Sequence, residues 1–86
     1  MKQFTHVVND PLGLLIRPAD MIAKLSKQYC GTTITVSCNG KQARAASLGC
    51  LMRLGARKGN LITVTVDGQA EEDAALAMEI LLRDHL

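Results

Sequence analysis

Between Thr33 and Ala45 the chain has little conformational choice. Ile34, Val36 and Cys38 alternate with Thr33, Thr35 and Ser37, a period of two that puts apolar and polar side chains on opposite faces of a strand. Asn39-Gly40 follows directly. Both residues tolerate positive φ, so the pair predicts a two-residue type I′ hairpin with a return strand from Lys41 to about Ala45.

The remaining segments fall in place around this hairpin. Residues 2 to 8 read as a strand, with Phe4, His6 and Val8 in one phase and Val7 in the other. Residues 9 to 13, NDPLG, are dense in turn formers and read as a loop. Pro18 suits a first helical turn, where its missing N–H would be unpaired anyway. From there to about Gln28, Ile22, Leu25 and Tyr29 recur at helical spacing with Lys24 and Lys27 turned outward, and Gly31 ends the helix. Ser47 in front of Leu48–Leu54, with Gly55 behind, predicts a short capped helix. Ile62, Val64 and Val66 alternate with Thr63 and Thr65 as a last strand closed by Asp67-Gly68. Glu71, Glu72 and Asp73 favour the positive end of a final helix, which runs to about Arg83 on Ala74, Ala77, Met78 and Leu81. The order β-α-β-β-α-β-α predicts an α+β domain over residues 1–86, a four-stranded antiparallel sheet with helices on one face and the other face open.

Composition removes several classes of function. At 48% apolar residues the chain reads as a folded globule, and with Phe4 and Tyr29 its only aromatics the core must be aliphatic. A net charge of +2 without a basic run, and no aromatic platform, argue against nucleic-acid binding. No run approaches the ~20 apolar residues of a membrane span. The N-terminal residues lack the apolar core of a signal peptide, so a cytoplasmic location is expected. Cys30, Cys38 and Cys50 are odd in number and contain no C-x-x-C pair, so neither a disulfide framework nor a zinc site is expected. There is no nucleophile–base pair and no glycine-rich phosphate loop, so the chain does not read as an enzyme and no cofactor is implied.

Gly13-Leu14-Leu15-Ile16-Arg17-Pro18-Ala19, Asn39-Gly40-Lys41, Ser47, Leu54-Gly55 and Lys58-Gly59 occur in order and at near-constant spacing along the whole chain. In this the sequence resembles the HPr family, the small phosphocarriers of the bacterial sugar phosphotransferase system. The resemblance implies an open-faced sandwich of four strands and three helices. It also implies protein partners, namely an enzyme I, a permease IIA domain, an HPr kinase or transcription regulators. One position departs from the pattern. The family carries Gly-Leu-His-x-Arg-Pro-Ala, and its histidine takes phosphate from enzyme I and passes it on; Leu15 stands there in this chain. A neutral imidazole is a nucleophile near physiological pH, whereas leucine has no lone pair to attack with.

Other residues do not replace it convincingly. His6 shares a phase with Phe4 and reads as a structurally satisfied histidine at the core or the sheet edge. His85 lies in a terminal turn expected to fray, and Asp10 and Asp20 flank the site without a family precedent. Arg17, which steadies the phosphohistidine in the family, remains beside free N–H groups at a helix end, either as the remnant of an anion site or as a solvated surface arginine. Leu15 and Ile16 either add apolar area to the family's docking loop or tuck inward.

Ser47 matches the serine that a dedicated kinase phosphorylates in many Gram-positive relatives. A helix N-terminus stabilises added phosphate, with Arg17 and Arg53 as candidate neighbours. By the same resemblance the positions of Leu48 and Met52 are partly exposed and contact partners; Lys24 and Lys27 either add positive charge suited to acidic partner surfaces or form an ordinary solvated helix face. The expected function is therefore that of a non-carrier, protein-binding homologue switched at Ser47. The family's catabolite-repression paralogue, which also lacks the histidine, is a precedent. Two alternatives are a phosphocarrier whose histidine has been replaced and a small-anion-binding module at the Arg17 helix end.

Overall fold

Residues 1–86 are described by a computed structural model, and seven elements follow in the expected order. They are strand β1 (Lys2–Val7), helix α1 (Ile16–Lys27), strands β2 (Thr32–Cys38) and β3 (Lys41–Arg44), helix α2 (Leu48–Arg53), strand β4 (Leu61–Gly68) and helix α3 (Glu71–His85). Asn39 and Gly40 both take positive φ, 54° and 79°, as the type I′ turn requires. The antiparallel sheet has the spatial order β1-β4-β2-β3, so the last strand lies between the first and the second.

Register turns the alternation of each strand into two different sheet faces. Phe4 pairs with Val64, Val64 with Val36 and Val36 with Ala43, an apolar row across all four strands. One residue along, Thr5, Thr63, Ser37 and Gln42 form the matching row on the opposite, open face. The helices cover the apolar face only. α3 packs on β1 and β4, α2 on β3, and α1 on α2 and α3. Ile22, Leu51, Ile62, Val64, Val66 and Met78 lose all contact with water. Each such side chain contributes about 1.5–3 kcal/mol of burial energy.

Several boundaries differ from expectation for identifiable reasons. α1 starts at Ile16, two residues before Pro18. Pro18 is tolerated there because the first four N–H groups of a helix have no intrahelical partner. The helix ends at Lys27 with Gln28 as its cap, so Gly31 closes the following turn rather than the helix. β1 stops at Val7, and Val8 is buried beyond it. α3 extends to His85 and buries Ala74, Met78 and Leu82 at a four-residue spacing. Ala77 and Leu81 flank that stripe, because successive four-residue steps hold the buried line to one narrow face.

His6 is half-buried on the helix-covered face, and its Nε2 has no hydrogen-bond partner. The expectation of a satisfied histidine is therefore corrected: the ring is held by packing alone. A buried polar atom without a partner costs about 1–3 kcal/mol. His6→Leu should accordingly raise stability by about 1 kcal/mol, seen as a Tm increase of roughly 4–8 °C in a thermal melt. An unchanged or lowered Tm would mean that water or the ring's packing already compensates.

The three cysteines are unpaired: Cys30 is exposed, Cys50 half-buried, and Cys38 lies in the core, where desolvation pushes its thiol pKa up. No helix is long and apolar enough to cross a membrane.

Candidate functional site

The loop before α1 is fixed by hydrogen bonds from its backbone N–H groups. The Gly13 N–H donates to the Asp10 carbonyl at 2.9 Å and the Leu14 N–H to the Ala56 carbonyl at 3.0 Å. The Asp10 carboxylate accepts from the Leu12 N–H at 2.9 Å. Gly13 has φ +73°, and a Cβ built on it would stand 2.5 Å from the Ala56 carbonyl oxygen. Leu14 then plunges into the core at 4% exposure, which forces Leu15 to point outward.

Leu15 is the N-cap of α1. Its backbone is extended, its carbonyl accepts from the Ala19 N–H at 3.0 Å, and its side chain can cap nothing. No acidic residue occupies the first turn, and the N–H groups of Ile16 and Arg17 have no protein acceptor. The positive end of the helix dipole is thus left open behind an apolar side chain. Leu15 is 46% and Ile16 63% exposed, so the two extend the surface instead of filling the interior.

α2 brings in the second group of residues. Ser47 caps it, with Oγ accepting from the Cys50 N–H at 3.3 Å, and its own N–H donates to the Arg44 carbonyl at 3.0 Å. Ser47 is half-buried at the start of the helix. Leu51 faces inward with no exposure, which turns Leu48 and Met52 outward, one helical turn apart. Because an N-cap serine typically contributes ~1 kcal/mol, Ser47→Ala should lower the unfolding free energy by about that amount in a urea titration. A loss several times larger would mean the side chain holds more than the helix end.

Together these elements enclose a groove of about 470 Å³ whose walls include Asp10, Leu12, Leu15, Ile16, Arg17 and Met52. Leu12, 74% exposed, was not singled out from the sequence; an apolar residue between Pro11 and Gly13 in an otherwise polar turn is the signal that could have found it. Arg17, Lys27 and Arg53 are exposed and make no ion pair. Lys24 is held by Asp20 at 2.9 Å, one helical turn away, so both charges are partly neutralised. The groove gathers neither histidine: His6 lies under the helices, and exposed His85 borders a separate shallow hollow with Asp10 and Pro11. No group of three or more His, Cys, Asp or Glu side chains is placed to hold a metal.

A four-stranded open-faced sheet under three helices, with an uncapped first helix beside a serine-capped second one, is the α+β open-faced sandwich expected from the sequence. The family model described as the PTS HPr component phosphorylation site matches residues 2–84. The phosphocarrier protein HPr of Mycoplasma genitalium is 34% identical over 82 residues, 95% of this chain and 93% of the relative. That of Mycoplasma pneumoniae is 34% identical over 85 residues, 99% of this chain and 97% of the relative. Among solved structures, a Mycoplasma histidine-containing phosphocarrier protein superposes with a TM-score of 0.92 at 29% identity, covering 96% of this chain and 93% of that one. HPr-C-His from Thermoanaerobacter tengcongensis gives 0.90 at 28% identity, covering 98% and 93%. The chain belongs to the HPr family of the sugar phosphotransferase system.

Proposed function

We propose that this chain is an HPr homologue that no longer carries phosphate at the family's histidine position and acts in the cytoplasm by binding other proteins, with Ser47 as its phosphorylation switch. The observation that carries the reading is the exposed Leu15 at the open end of α1, where the family pattern requires a nucleophile. Burying Leu12, Leu15, Ile16, Leu48 and Met52 against a partner gains about 25 cal/mol for each Å² of apolar surface covered. The unpaired Arg17, Lys27 and Arg53 favour a partner with acidic groups around an apolar centre. Enzyme I-like proteins, permease IIA-like domains, an HPr kinase and transcription regulators are the partner classes that membership of the family supports.

Phosphate on Ser47 would sit at the first turn of α2, where added negative charge is favourable. On this reading the chain is a substrate and ligand of other proteins, not an enzyme, and it needs no cofactor. Incubation with ATP and an HPr kinase, followed by intact-mass measurement and peptide mapping, should place phosphate on Ser47 and none on the Ser47→Ala variant. Absence of phosphate from a folded chain would remove the switch and leave the apolar groove as the functional element.

A second reading, a carrier whose histidine has been replaced, is favoured by how much of the site survives around Leu15: the free N–H groups, unpaired Arg17 and serine-capped α2. A small-anion module at the same helix end fits less well, because the groove beside it is walled mainly by aliphatic side chains.

A further inference from the structure

A second hollow, of about 510 Å³, lies at the other end of α1, between its last turn, the start of β2 and the end of β3. It shares no lining residue with the Leu15 groove, and only Lys27 with the proposed docking face. Its floor includes Ser26, which is only 6% exposed, and the Ser26 hydroxyl makes no hydrogen bond to the protein. A serine this deeply buried in a helix commonly returns its proton to the preceding turn or finds another acceptor. Here the hydroxyl lines an open hollow instead.

Lys27 stands on one wall and Arg44 on the other, contributed by different elements, and neither makes an ion pair. The ten residues around the hollow include no Asp or Glu. Tyr29, Cys30 and Thr33 supply further polar atoms along the rim. Two unpaired cations facing one cavity, with a serine hydroxyl in its lining, suit an anion that also accepts hydrogen bonds. The volume lies within the range of small-molecule sites and exceeds what a bare inorganic ion needs. The carbonyl end of α1 carries partial negative charge and tempers the attraction, which points to weak, reversible binding rather than a tightly held group.

We infer that the hollow lined by Ser26, Lys27 and Arg44 is a binding site for a small organic oxyanion, a phosphate monoester or a dicarboxylate, distinct from the Leu15 groove. Oxyanion oxygens bridge Lys27 and Arg44, and one of them accepts from the Ser26 hydroxyl. The exposed Cys30 thiol is then covered by the body of the ligand.

The test is an amide chemical-shift titration of the intact chain with glycerol 3-phosphate, succinate, inorganic phosphate and, as the uncharged control, glycerol. Saturable shifts confined to residues 26–34 and 44–46 are expected with the organic anions. Lys27→Gln and Arg44→Gln should each weaken binding about tenfold, the equivalent of one charge-assisted hydrogen bond. Arg17→Gln should leave binding unchanged. Bound ligand should also slow alkylation of Cys30 by iodoacetamide. A response to glycerol 3-phosphate alone, or to both organic anions, supports the site and tells the two ligand classes apart. Three results would overturn it: no saturable shift with either organic anion, an equal response to glycerol, or shifts centred on residues 15–19 and abolished by Arg17→Gln.

Discussion

The Leu15→His variant should take phosphate from phosphoenolpyruvate and enzyme I, approaching one phosphate per chain, while the parent chain takes none. The backbone for this reaction is already in place. Residue 15 is the N-cap of α1, extended, outward-facing and followed by two N–H groups with no protein acceptor. An imidazole there acquires the nucleophile that leucine lacks, and the transferred phosphoryl group meets Arg17 and the positive helix end. The product should be acid-labile and alkali-stable, as a phosphohistidine is, which separates it from phosphate on Ser47. Because Leu15 is 46% exposed, the exchange should move stability by no more than about 0.5 kcal/mol. His6 and His85 are present in the parent chain and serve as its internal controls. If the parent itself became phosphorylated by enzyme I, another side chain would have taken over the carrier role and the regulatory reading would fail.

Gly13→Ala should destabilise the fold by about 3 kcal/mol, combining the strain of a positive φ with the loss or bending of a buried backbone hydrogen bond. Its φ is +73° and the new Cβ would stand 2.5 Å from the Ala56 carbonyl oxygen, the same oxygen that accepts from Leu14. That carbonyl belongs to the segment after α2 and cannot retreat without releasing the loop. Gly40→Ala provides the control, since Gly40 has a similar φ of +79° but open space around it. It should cost only about 1 kcal/mol. For a domain this small the difference corresponds to a Tm gap of roughly 10 °C in paired melts. Equal losses would mean that φ strain alone decides both positions and that the loop yields easily.

Much of the scaffold was legible because its signals are local. Asn39-Gly40 requires only its own two dihedrals, and Ile34, Val36 and Cys38 are buried as their alternation demanded. Ser47 caps α2 because the interaction spans three residues. The misplaced features depend on distant partners. Nothing near Leu15 announces a helix that begins before Pro18; the cap is permitted by the loop's attachment to Ala56. The missing partner of His6 is invisible in its strand, because the ring's surroundings are set by β4 and α3, far along the chain. Within the site, Leu15 and Ile16 could be singled out from sequence, whereas their outward direction followed only once Leu14 was seen to fill the core. The hollow around Ser26 was not legible at all, since Ser26 and Lys27 come from α1 and Arg44 from β3, separated along the chain.

The place of β4 in the sheet also governs how the chain meets its first seconds of existence. β4 bridges β1 and the β2–β3 hairpin, which have no other common strand neighbour. Gln3 and Thr65, hydrogen-bonded across β1 and β4, lie 62 positions apart. During synthesis the N-terminal strand therefore leaves the ribosome with both edges bare and stays unpaired for roughly 3 to 12 s, until the last strand is made. Through that interval the hairpin can form, but no sheet can. A nascent chain halted before Leu61 has its apolar rows written and nowhere to close them.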